Sequence, residues 1–301
     1  MGALDGRVAV ITGAGRGLGR EHALLFAAEG ASVVVNDLGG GPDGSGGDAG
    51  PAQQVAQEIR AAGGRAVANS DDVTTGEGAD RLILQAIEEF GALHVLVNNA
   101  GILRDRTIVN MTDAEWDDVI RVHLRGHFMP TRAAARYWRE QSKAGAHLQP
   151  SLINTTSTSG LFNNPGQANY GAAKTGIATL TIIAQRELGR YGVKANAIAP
   201  AARTRLTLAT PGLGDTIMRV PDEGFDAMDP ANVSPFVAYL ATAECPIKGR
   251  VFFVAGGGIH LFQPFAIIDT LAKDGKWTVA ELQEQAARLA DVPFDLGRVP
   301  L

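Results

Sequence analysis

The sequence from Val8 to Gly19 is VAVITGAGRGLG, and this stretch decides the fold of the chain. Its first four residues are apolar, which is typical of a short strand buried inside a parallel sheet. The glycines that follow allow a sharp turn and let backbone N–H groups come close to a ligand. The next helix presents its positive end at the same turn, which favours bound phosphate. A strand, a glycine turn and a helix in this order predict a dinucleotide-binding unit, whereas glycines alone are weak support.

The same alternation of short apolar runs and helical periodicity continues along the chain. Apolar runs predict further buried strands at residues 33–35, 66–68, 93–97, 152–155, 195–198 and 251–254. Amphipathic spacing predicts helices at residues 17–29, 52–62, 77–90, 114–140 and 167–190. Strands that alternate with helices form a parallel sheet, and right-handed crossovers put helices on both of its faces. We therefore predict an α/β, single-domain Rossmann fold with a seven-stranded parallel sheet.

Two segments stand outside this alternation. Residues 38–51 contain seven glycines and two prolines, which predicts a flexible surface loop. The dinucleotide-binding domain is predicted over residues 1–258, and residues 259–301 are predicted to be a C-terminal extension of it. That extension is expected to be helical, because apolar residues recur at helical spacing at Val279, Leu282, Ala286 and Leu289.

The composition argues against several classes of function. The net charge is -5, whereas a nucleic-acid-binding surface needs clustered positive charge, so no nucleic-acid partner is expected. No apolar run approaches the roughly 20 residues that span a bilayer, so no membrane partner is expected. The single cysteine, Cys245, cannot form an internal disulfide and fits a reducing, cytoplasmic location. The six histidines lack the spacing of a metal site, so no metal is expected.

Acidic residues after two predicted strands indicate which dinucleotide is bound. Asp37 ends the second strand, where a carboxylate accepts hydrogen bonds from ribose hydroxyls and repels a 2′-phosphate. This predicts NAD as the cofactor. Arg16 in the glycine turn is the counter-argument, since an arginine there is able to pair with the 2′-phosphate of NADP, and a solvated turn residue is the alternative for Asp37. Asp72 and Val73 end the third strand beside the expected adenine position, and Asp71 is the alternative to Asp72.

A serine, a tyrosine and a lysine form the predicted catalytic group. Tyr170 and Lys174 are four residues apart on a predicted helix, so both side chains lie on one face. A free tyrosine has a pKa of about 10 and needs a nearby positive charge to act as a base. Lys174 and the positive nicotinamide ring supply that charge, so Tyr170 is the predicted acid/base. Ser157 is predicted to hydrogen-bond the substrate oxygen, and Lys174 also to reach the nicotinamide ribose.

Together these motifs resemble those of the short-chain dehydrogenases/reductases, over roughly residues 6–258. The matching stretches are Thr12–Gly19, Asn98–Gly101, Ser157 and Tyr170–Lys174. Within that family, three stretches are similar to the 3-hydroxyacyl-CoA dehydrogenase domains of the peroxisomal multifunctional enzymes type 2 and their bacterial relatives. These stretches are Asn36–Gly40, Asn98–Arg106 and Val122–Gly126.

The resemblance implies a set of cofactor contacts and a homodimer or homotetramer. It implies that the Asn-Asn-Ala-Gly stretch supports the central strand and lines the cofactor pocket, and that the segment after the sixth strand meets the nicotinamide amide. With the residues already named, the predicted cofactor-binding set is Gly13, Arg16, Gly17, Leu18, Gly19, Asp37, Asp72, Val73, Asn99, Ala100, Gly101, Tyr170, Lys174, Pro200 and Thr204.

Two positions depart from the family pattern. Many members have asparagine in place of His123, and the main-chain carbonyl at this position is thought to hold a water near the lysine. A backbone role survives the change, so the His123 side chain is expected to pack beside the site, with a catalytic imidazole as the alternative. The second departure is Pro200-Ala201 in place of the usual Pro-Gly. The match of this segment to the family pattern is offset by one residue, and Thr204 is assigned with that offset.

The segments that set the substrate in this fold are apolar here. They are the loop Phe162–Pro165, residues 201–229 and the C-terminal tail. Leu206, Leu208, Leu213, Ile217 and Met218 make residues 201–229 a candidate lid, which suits an acyl chain or a steroid. The resemblance favours 3-hydroxyacyl thioesters such as an acyl-CoA as the substrate. The alternatives are a steroid or other apolar alcohol dehydrogenase, an NADPH-dependent 3-oxoacyl reductase, and a non-catalytic NAD-binding sensor. We hypothesise that the tail reaches the active site of a neighbouring subunit.

Overall fold

The computed structural model of the chain describes residues 2–46, 48, 50–208, 219–263 and 265–292. Within these residues eight strands form one sheet, in the order β3-β2-β1-β4-β5-β6-β7-β8. The strands are β1 Val8–Thr12, β2 Ser32–Asn36, β3 Arg65–Asn69, β4 Val95–Asn98, β5 Ser151–Thr155, β6 Lys194–Ala201, β7 Val251–Ala255 and β8 Gly258–Leu261.

Ten α-helices accompany the sheet in the described part of the chain. They are α1 Gly17–Ala28, α2 Gly50–Ala61, α3 Gly76–Phe90, α4 Asp113–Ile120, α5 Gly126–Lys143, α6 Thr158–Leu161, α7 Ala168–Leu188, α8 Arg205–Leu208, α9 Ser234–Ala241 and α10 Val279–Gln285. A π-helical segment spans Arg121–Arg125. Short 3₁₀ segments lie at Ile108–Asn110, Gly189–Tyr191, Pro230–Val233 and Ala286–Ala290.

Alternate residues of each central strand belong to two different hydrophobic cores. In β1, Ala9 and Ile11 pack with α1, α2 and α9, whereas Val8 and Val10 pack with α3, α5 and α7. Trp138 of α5 is fully enclosed in the second core and donates from Nε1 to the Leu93 carbonyl at 2.9 Å. Since both faces of the sheet are covered, the central strands β1, β2, β4 and β5 are buried along their whole length. The predicted α/β Rossmann fold with helices on both faces is confirmed.

The strand count is corrected from seven to eight. The added strand, β8, pairs antiparallel with β7 at the edge of the sheet, while the other neighbours are parallel. Its sequence, GIHL, has no apolar run, and Ile259 and Leu261 are more than half exposed. An exposed edge strand lacks the apolar pattern by which buried strands are recognised. The predicted boundary at residue 258 therefore falls inside the sheet, and the extension begins as a strand rather than a helix.

Three predicted segments also have different bounds. The helix expected at 114–140 is divided into α4, the π-helical segment and α5; a π segment adds one residue per turn locally, which apolar spacing does not reveal. The loop expected at 38–51 gives way to α2 at Gly50. The expected tail helix is present as α10, but its apolar residues Val279 and Leu282 are exposed.

The sheet order reverses direction between β1 and β4. In open parallel sheets a crevice forms outside the carboxyl ends of the strands at such a reversal, and ligands bind there. The glycine turn after β1 and the Asn-Asn-Ala-Gly stretch after β4 both lie at this edge. A search of the described residues finds no helix with the length and apolar character needed to cross a membrane.

Candidate active site

The glycine turn is packed tightly against the end of β4. Gly13 and Gly17 have φ angles of +63° and +52°, which side-chain-bearing residues rarely adopt. A Cβ on Gly13 would lie 2.7 Å from Ala100 Cα, and one on Gly19 would lie 2.3 Å from Gly13 O. Asn99 fixes the turn from the other side, because its Nδ2 donates to Thr12 O at 3.1 Å and Gly13 O at 3.2 Å. The glycines are therefore required by close backbone contact.

A cavity of about 500 Å³ opens beside this turn, at the reversal of the sheet order. The turn, the ends of β2 and β3, and the segments after β4 and β6 all contribute to its wall. The predicted cofactor residues that line it are Gly13, Arg16, Gly17, Leu18, Asp37, Asp72, Val73, Asn99, Ala100, Gly101 and Thr204. Gly19, Tyr170, Lys174 and Pro200 are not part of this wall; Gly19 supports the turn from behind and Pro200 lies in β6 opposite Val254. The lining set fits a dinucleotide by its chemistry, since the glycine turn offers backbone N–H groups for a pyrophosphate, and Asp37 and Asp72 offer carboxylate oxygens for hydroxyl and amino groups.

The carboxylate of Asp37 is fixed by backbone donors. Its Oδ2 accepts from Gly15 N at 2.8 Å and its Oδ1 from Gly39 N at 2.7 Å. Each carboxylate oxygen has two lone pairs, so both oxygens keep an acceptor position for a ribose hydroxyl. The negative charge is thus held at the end of β2, beside the glycine turn.

Asp71 and Asp72 both line the cavity, but their carboxylates have different partners. Arg81 of α3 forms an ion pair with Asp71 at 2.6 Å, and Asn69 Nδ2 donates to the other Asp71 oxygen at 2.8 Å. Asp72 Oδ1 accepts from Thr74 N at 2.8 Å, and within the described residues its Oδ2 has no hydrogen bond. Asp72 therefore has the freer carboxylate, as expected for a group that contacts a ligand.

Ser157, Tyr170 and Lys174 come together at the carboxyl edge of the sheet. Ser157 follows β5 and hydrogen-bonds to Tyr170, and its Oγ also accepts from Ser159 N at 3.1 Å. Tyr170 lies in the first turn of α7, and Lys174 is one turn later. Lys174 Nζ is 5.5 Å from the centre of the Tyr170 ring and donates to Thr155 O at 2.7 Å. The three side chains predicted to act together are therefore adjacent.

Burial opposes the charged forms of both Tyr170 and Lys174. It raises the pKa of Tyr170 to about 12, while the Ser157 hydrogen bond lowers that pKa and the Asp105 charge raises it further. Burial lowers the pKa of Lys174 to about 7. A phenolate and an ammonium group this close stabilise each other, so ionisation of Tyr170 depends on Lys174 keeping its proton.

His123 packs directly against Tyr170. The two ring centres are 5.0 Å apart, with the rings at 89°. His123 Nε2 lies 2.7 Å from Ile102 O, which orients the imidazole from the loop after β4. Burial, followed by the charge of Lys174, lowers the pKa of His123 well below its usual value, so the ring is neutral at pH 7. These contacts support the packing interpretation of its side chain.

Part of the cavity wall was missed by sequence reasoning. The loop after β2 contributes Leu38 and Gly44, although its composition predicted only a surface loop. The segment after β6 contributes Arg203 and Arg205 besides the predicted lid residues Leu206 and Leu208. The predicted lid residues Leu213, Ile217 and Met218 lie outside the described residues. The signal that would have found the arginines is their position next to Thr204, a residue already assigned to the cofactor.

Comparisons with known proteins agree with this arrangement. A family model described as short chain dehydrogenase matches residues 7–210. The hydroxyacyl-CoA dehydrogenase ChsB1 of Mycobacterium tuberculosis is 44% identical, over 99% of this chain and 91% of that protein. A crystal structure of a short chain dehydrogenase from Mycobacterium avium superposes with a TM-score of 0.85 at 49% identity, covering 100% of this chain and 98% of that one.

A longer relative matches the same part of the chain. The peroxisomal multifunctional enzyme type 2 of Mus musculus is 43% identical over 255 residues, which is 85% of this chain but 32% of that enzyme. The similarity therefore concerns one portion of a larger protein, in agreement with the subgroup indicated by the sequence motifs.

Proposed function

The chain belongs to the short-chain dehydrogenase family, and from this premise we propose that it is an NAD-dependent oxidoreductase acting on CH–OH groups. It interconverts a secondary alcohol and a ketone by hydride transfer. The observation that carries the proposal is the contact of Ser157, Tyr170 and Lys174 at the sheet edge that also holds the cavity beside the glycine turn. A non-catalytic NAD-binding sensor is disfavoured, because such a protein has no need for this group of three side chains.

The chain's own residues perform the proton transfer. Tyr170 takes the hydroxyl proton of the alcohol during oxidation and returns it to the ketone oxygen during reduction. Ser157 Oγ donates a hydrogen bond to the substrate oxygen and holds it beside the phenol. Lys174 keeps its proton and stabilises the phenolate, held in position by the Thr155 carbonyl. The chemistry that NAD supplies when bound is acceptance of the hydride.

The residues that line the cavity would hold the cofactor by its separate parts. The N–H groups of the glycine turn and the start of α1 suit the pyrophosphate. Asp37 suits the adenosine ribose hydroxyls, and Asp72 and Val73 suit the adenine. Thr204 suits the nicotinamide amide. The Asp37 assignment favours NAD, whereas the other assignments suit the parts that NAD and NADP share.

The proposed substrate class is a 3-hydroxyacyl thioester, such as an acyl-CoA. Support comes from ChsB1, whose name specifies a hydroxyacyl-CoA dehydrogenase, and from the apolar residues Leu206 and Leu208 beside the cavity. A second candidate is reduction of a 3-oxoacyl group, because a 3-oxoacyl-[acyl-carrier-protein] reductase of Synechocystis is 36% identical over 85% of this chain. A steroid alcohol is the remaining candidate, since it is equally apolar.

A screen of NAD reduction against 3-hydroxyacyl-CoAs, steroids and simple alcohols tests the proposed function. We expect reduction with 3-hydroxyacyl-CoAs and little with short simple alcohols. Turnover of steroids alone would indicate a steroid alcohol dehydrogenase. A requirement for NADPH with 3-oxoacyl substrates would indicate a 3-oxoacyl reductase. No turnover with either cofactor across the panel would contradict an enzymatic role.

Replacing Asp37 by asparagine should reduce the preference for NAD over NADP about tenfold, since a charge-assisted hydrogen bond is lost and repulsion of a 2′-phosphate disappears. Asparagine keeps an oxygen for Gly15 N, so the turn should keep its shape. The measurement is kcat/KM with each cofactor. Asp43→Asn, in the following exposed loop, is the matched control and should leave the ratio unchanged. An unaltered ratio for Asp37→Asn would remove the cofactor assignment.

We also propose a cytoplasmic homodimer or homotetramer. The free, buried Cys245 suits a reducing compartment. Several apolar residues of the tail are exposed in the single chain, including Phe265 at 95% and Ile267 at 89%. Exposed apolar surface of this kind is typical of a contact with another subunit.

Truncation after Gln263 should lower the oligomer size and raise KM for long acyl substrates, because the exposed tail would no longer cover a neighbouring subunit. A cut after Gly258 is unsuitable, because it also removes β8 and Phe262, whose ring lies 5.3 Å from that of Phe162. Light scattering and steady-state kinetics measure the two effects, and truncation after Val292 is the control. Unchanged assembly and kinetics in the shorter variant would refute a role for the tail.

A further inference from the structure

We infer that Arg205 is a phosphate-binding residue, which the segment after β6 holds over the glycine turn so that it acts together with Arg16 on the dinucleotide. The inference rests on the proposed nicotinamide cofactor and adds a residue to its binding site. Phosphate is the chemistry that the two guanidinium groups share. It has two sources, the pyrophosphate of either cofactor and the 2′-phosphate of NADP.

The segment that carries Arg205 lies directly on the turn. A Cβ built on Gly17 would be 3.6 Å from Thr204 Cγ2, so Thr204 lies immediately beside the turn. Thr207 Oγ1 donates to Ala202 O at 2.8 Å and accepts from Thr204 N at 2.7 Å, which fixes the start of α8. Arg205 and Arg16 consequently line the same cavity.

Four arginines line that cavity, and two of them already have carboxylate partners. Arg121 forms a salt bridge with Asp118 at 3.2 Å, and Arg203 forms a bidentate salt bridge with Asp226 at 2.6–2.8 Å. Within the described ranges the guanidinium groups of Arg16 and Arg205 form no ion pair. A planar guanidinium matches the geometry of phosphate oxygens, so these two remain for a bound anion.

The charges of Arg16, Arg205 and Asp37 act on one another across the cavity. The pKa of Arg205 is lowered first by burial and then by the positive charge of Arg16, whereas Asp37 raises it. Asp37 is held by Gly15 N and Gly39 N rather than by a guanidinium. Two neighbouring cations without a salt-bridge partner repel each other, and an anion between them removes that repulsion.

The arrangement couples cofactor binding to the substrate side of the cavity. Leu206 and Leu208 are on the same short helix as Arg205 and line the same cavity. A phosphate bound by Arg205 therefore also holds these two apolar side chains in place. Cofactor binding would in this way complete the wall that an acyl chain meets.

Calorimetric titration of the full chain with NAD, NADP, ADP-ribose and adenosine tests the inference without turnover. Arg205→Gln should raise Kd for NAD and ADP-ribose about tenfold, equivalent to about 1.4 kcal/mol, and leave adenosine unchanged. Arg205→Lys should recover part of the loss because it keeps the charge. Arg219→Gln is the matched control; its residue belongs to the same segment but pairs with Asp222 outside the cavity wall.

The outcomes separate the two phosphate sources. Equal weakening of NAD and NADP assigns Arg205 to the pyrophosphate, whereas a loss confined to NADP assigns it to the 2′-phosphate. Unchanged affinities, or an equal loss for adenosine, would overturn the inference and leave the proposed function intact. If the wild-type chain bound neither NAD nor NADP, the proposed function would fail instead.

Discussion

Replacing Tyr170 by phenylalanine should lower kcat about 10³-fold, within the range by which a positioned proton donor or acceptor accelerates a reaction. Phenylalanine keeps the ring that packs against His123 and loses only the hydroxyl that contacts Ser157. The fold and the cavity wall should therefore be preserved, because Tyr170 is not part of that wall. Steady-state kinetics in the oxidation direction measure the loss, and calorimetric titration with NAD checks that the cofactor still binds.

Tyr191→Phe is the matched control for this variant. Tyr191 ends the short 3₁₀ segment after α7, so it lies beyond the opposite end of the helix that carries Tyr170. Its hydroxyl should be dispensable for turnover. If Tyr170→Phe kept activity within about threefold of wild type, a loss smaller than any expected for an acid/base, the proton-transfer role would belong to another residue.

Replacing Lys174 by glutamine should reduce kcat/KM for oxidation near neutral pH about 100-fold, because an opposite charge at this distance lowers a pKa by about two units. Burial is the largest of the effects that raise the pKa of Tyr170 to about 12. Loss of the ammonium group removes a charge that favours the phenolate, so Tyr170 deprotonates at higher pH. The acid limb of the pH profile should move to higher pH, and activity should return as the pH is raised.

The pH profile separates this effect from simple damage to the fold. Lys194→Gln is the matched control, since Lys194 Nζ also donates to backbone carbonyls, those of Thr242 and Ala243 at 2.7 and 2.9 Å. Lys194 is the first residue of β6, so it lies at the amino ends of the strands, on the side of the sheet opposite the active site. An unshifted profile in Lys174→Gln, even with lower activity, would mean that Lys174 only supports the structure.

The features that were predicted correctly from sequence have local causes. The apolar run Val8–Ile11 and the glycines after it define a strand, a turn and a helix within about one βαβ unit, so no distant residue is needed to recognise them. Tyr170 and Lys174 are on one helix face because their spacing matches the helical repeat. The alternation of strands and helices restricts the fold to an α/β sheet covered on both faces.

The features that were missed depend on residues distant in sequence. The strand β8 is defined by its pairing with β7, not by an apolar pattern of its own. The π-helical segment is invisible to apolar spacing, yet it contains His123, which contacts the catalytic tyrosine. Arg81 of α3 pairs with Asp71, whereas Asp72 forms no ion pair within the described residues. Each depends on contacts across the fold that the local sequence does not specify.

The sequence by itself determined the fold class, the glycine turn and the serine, tyrosine and lysine, because these follow from short-range periodicity and from the chemistry of single side chains. Only the tertiary structure decided what surrounds them. It placed Thr204 beside Gly17, and it placed Arg205 in the wall of the cavity that Arg16 also lines. The physical reason is that packing and electrostatics depend on distances in space, and chain segments nearly two hundred residues apart meet at one edge of the sheet.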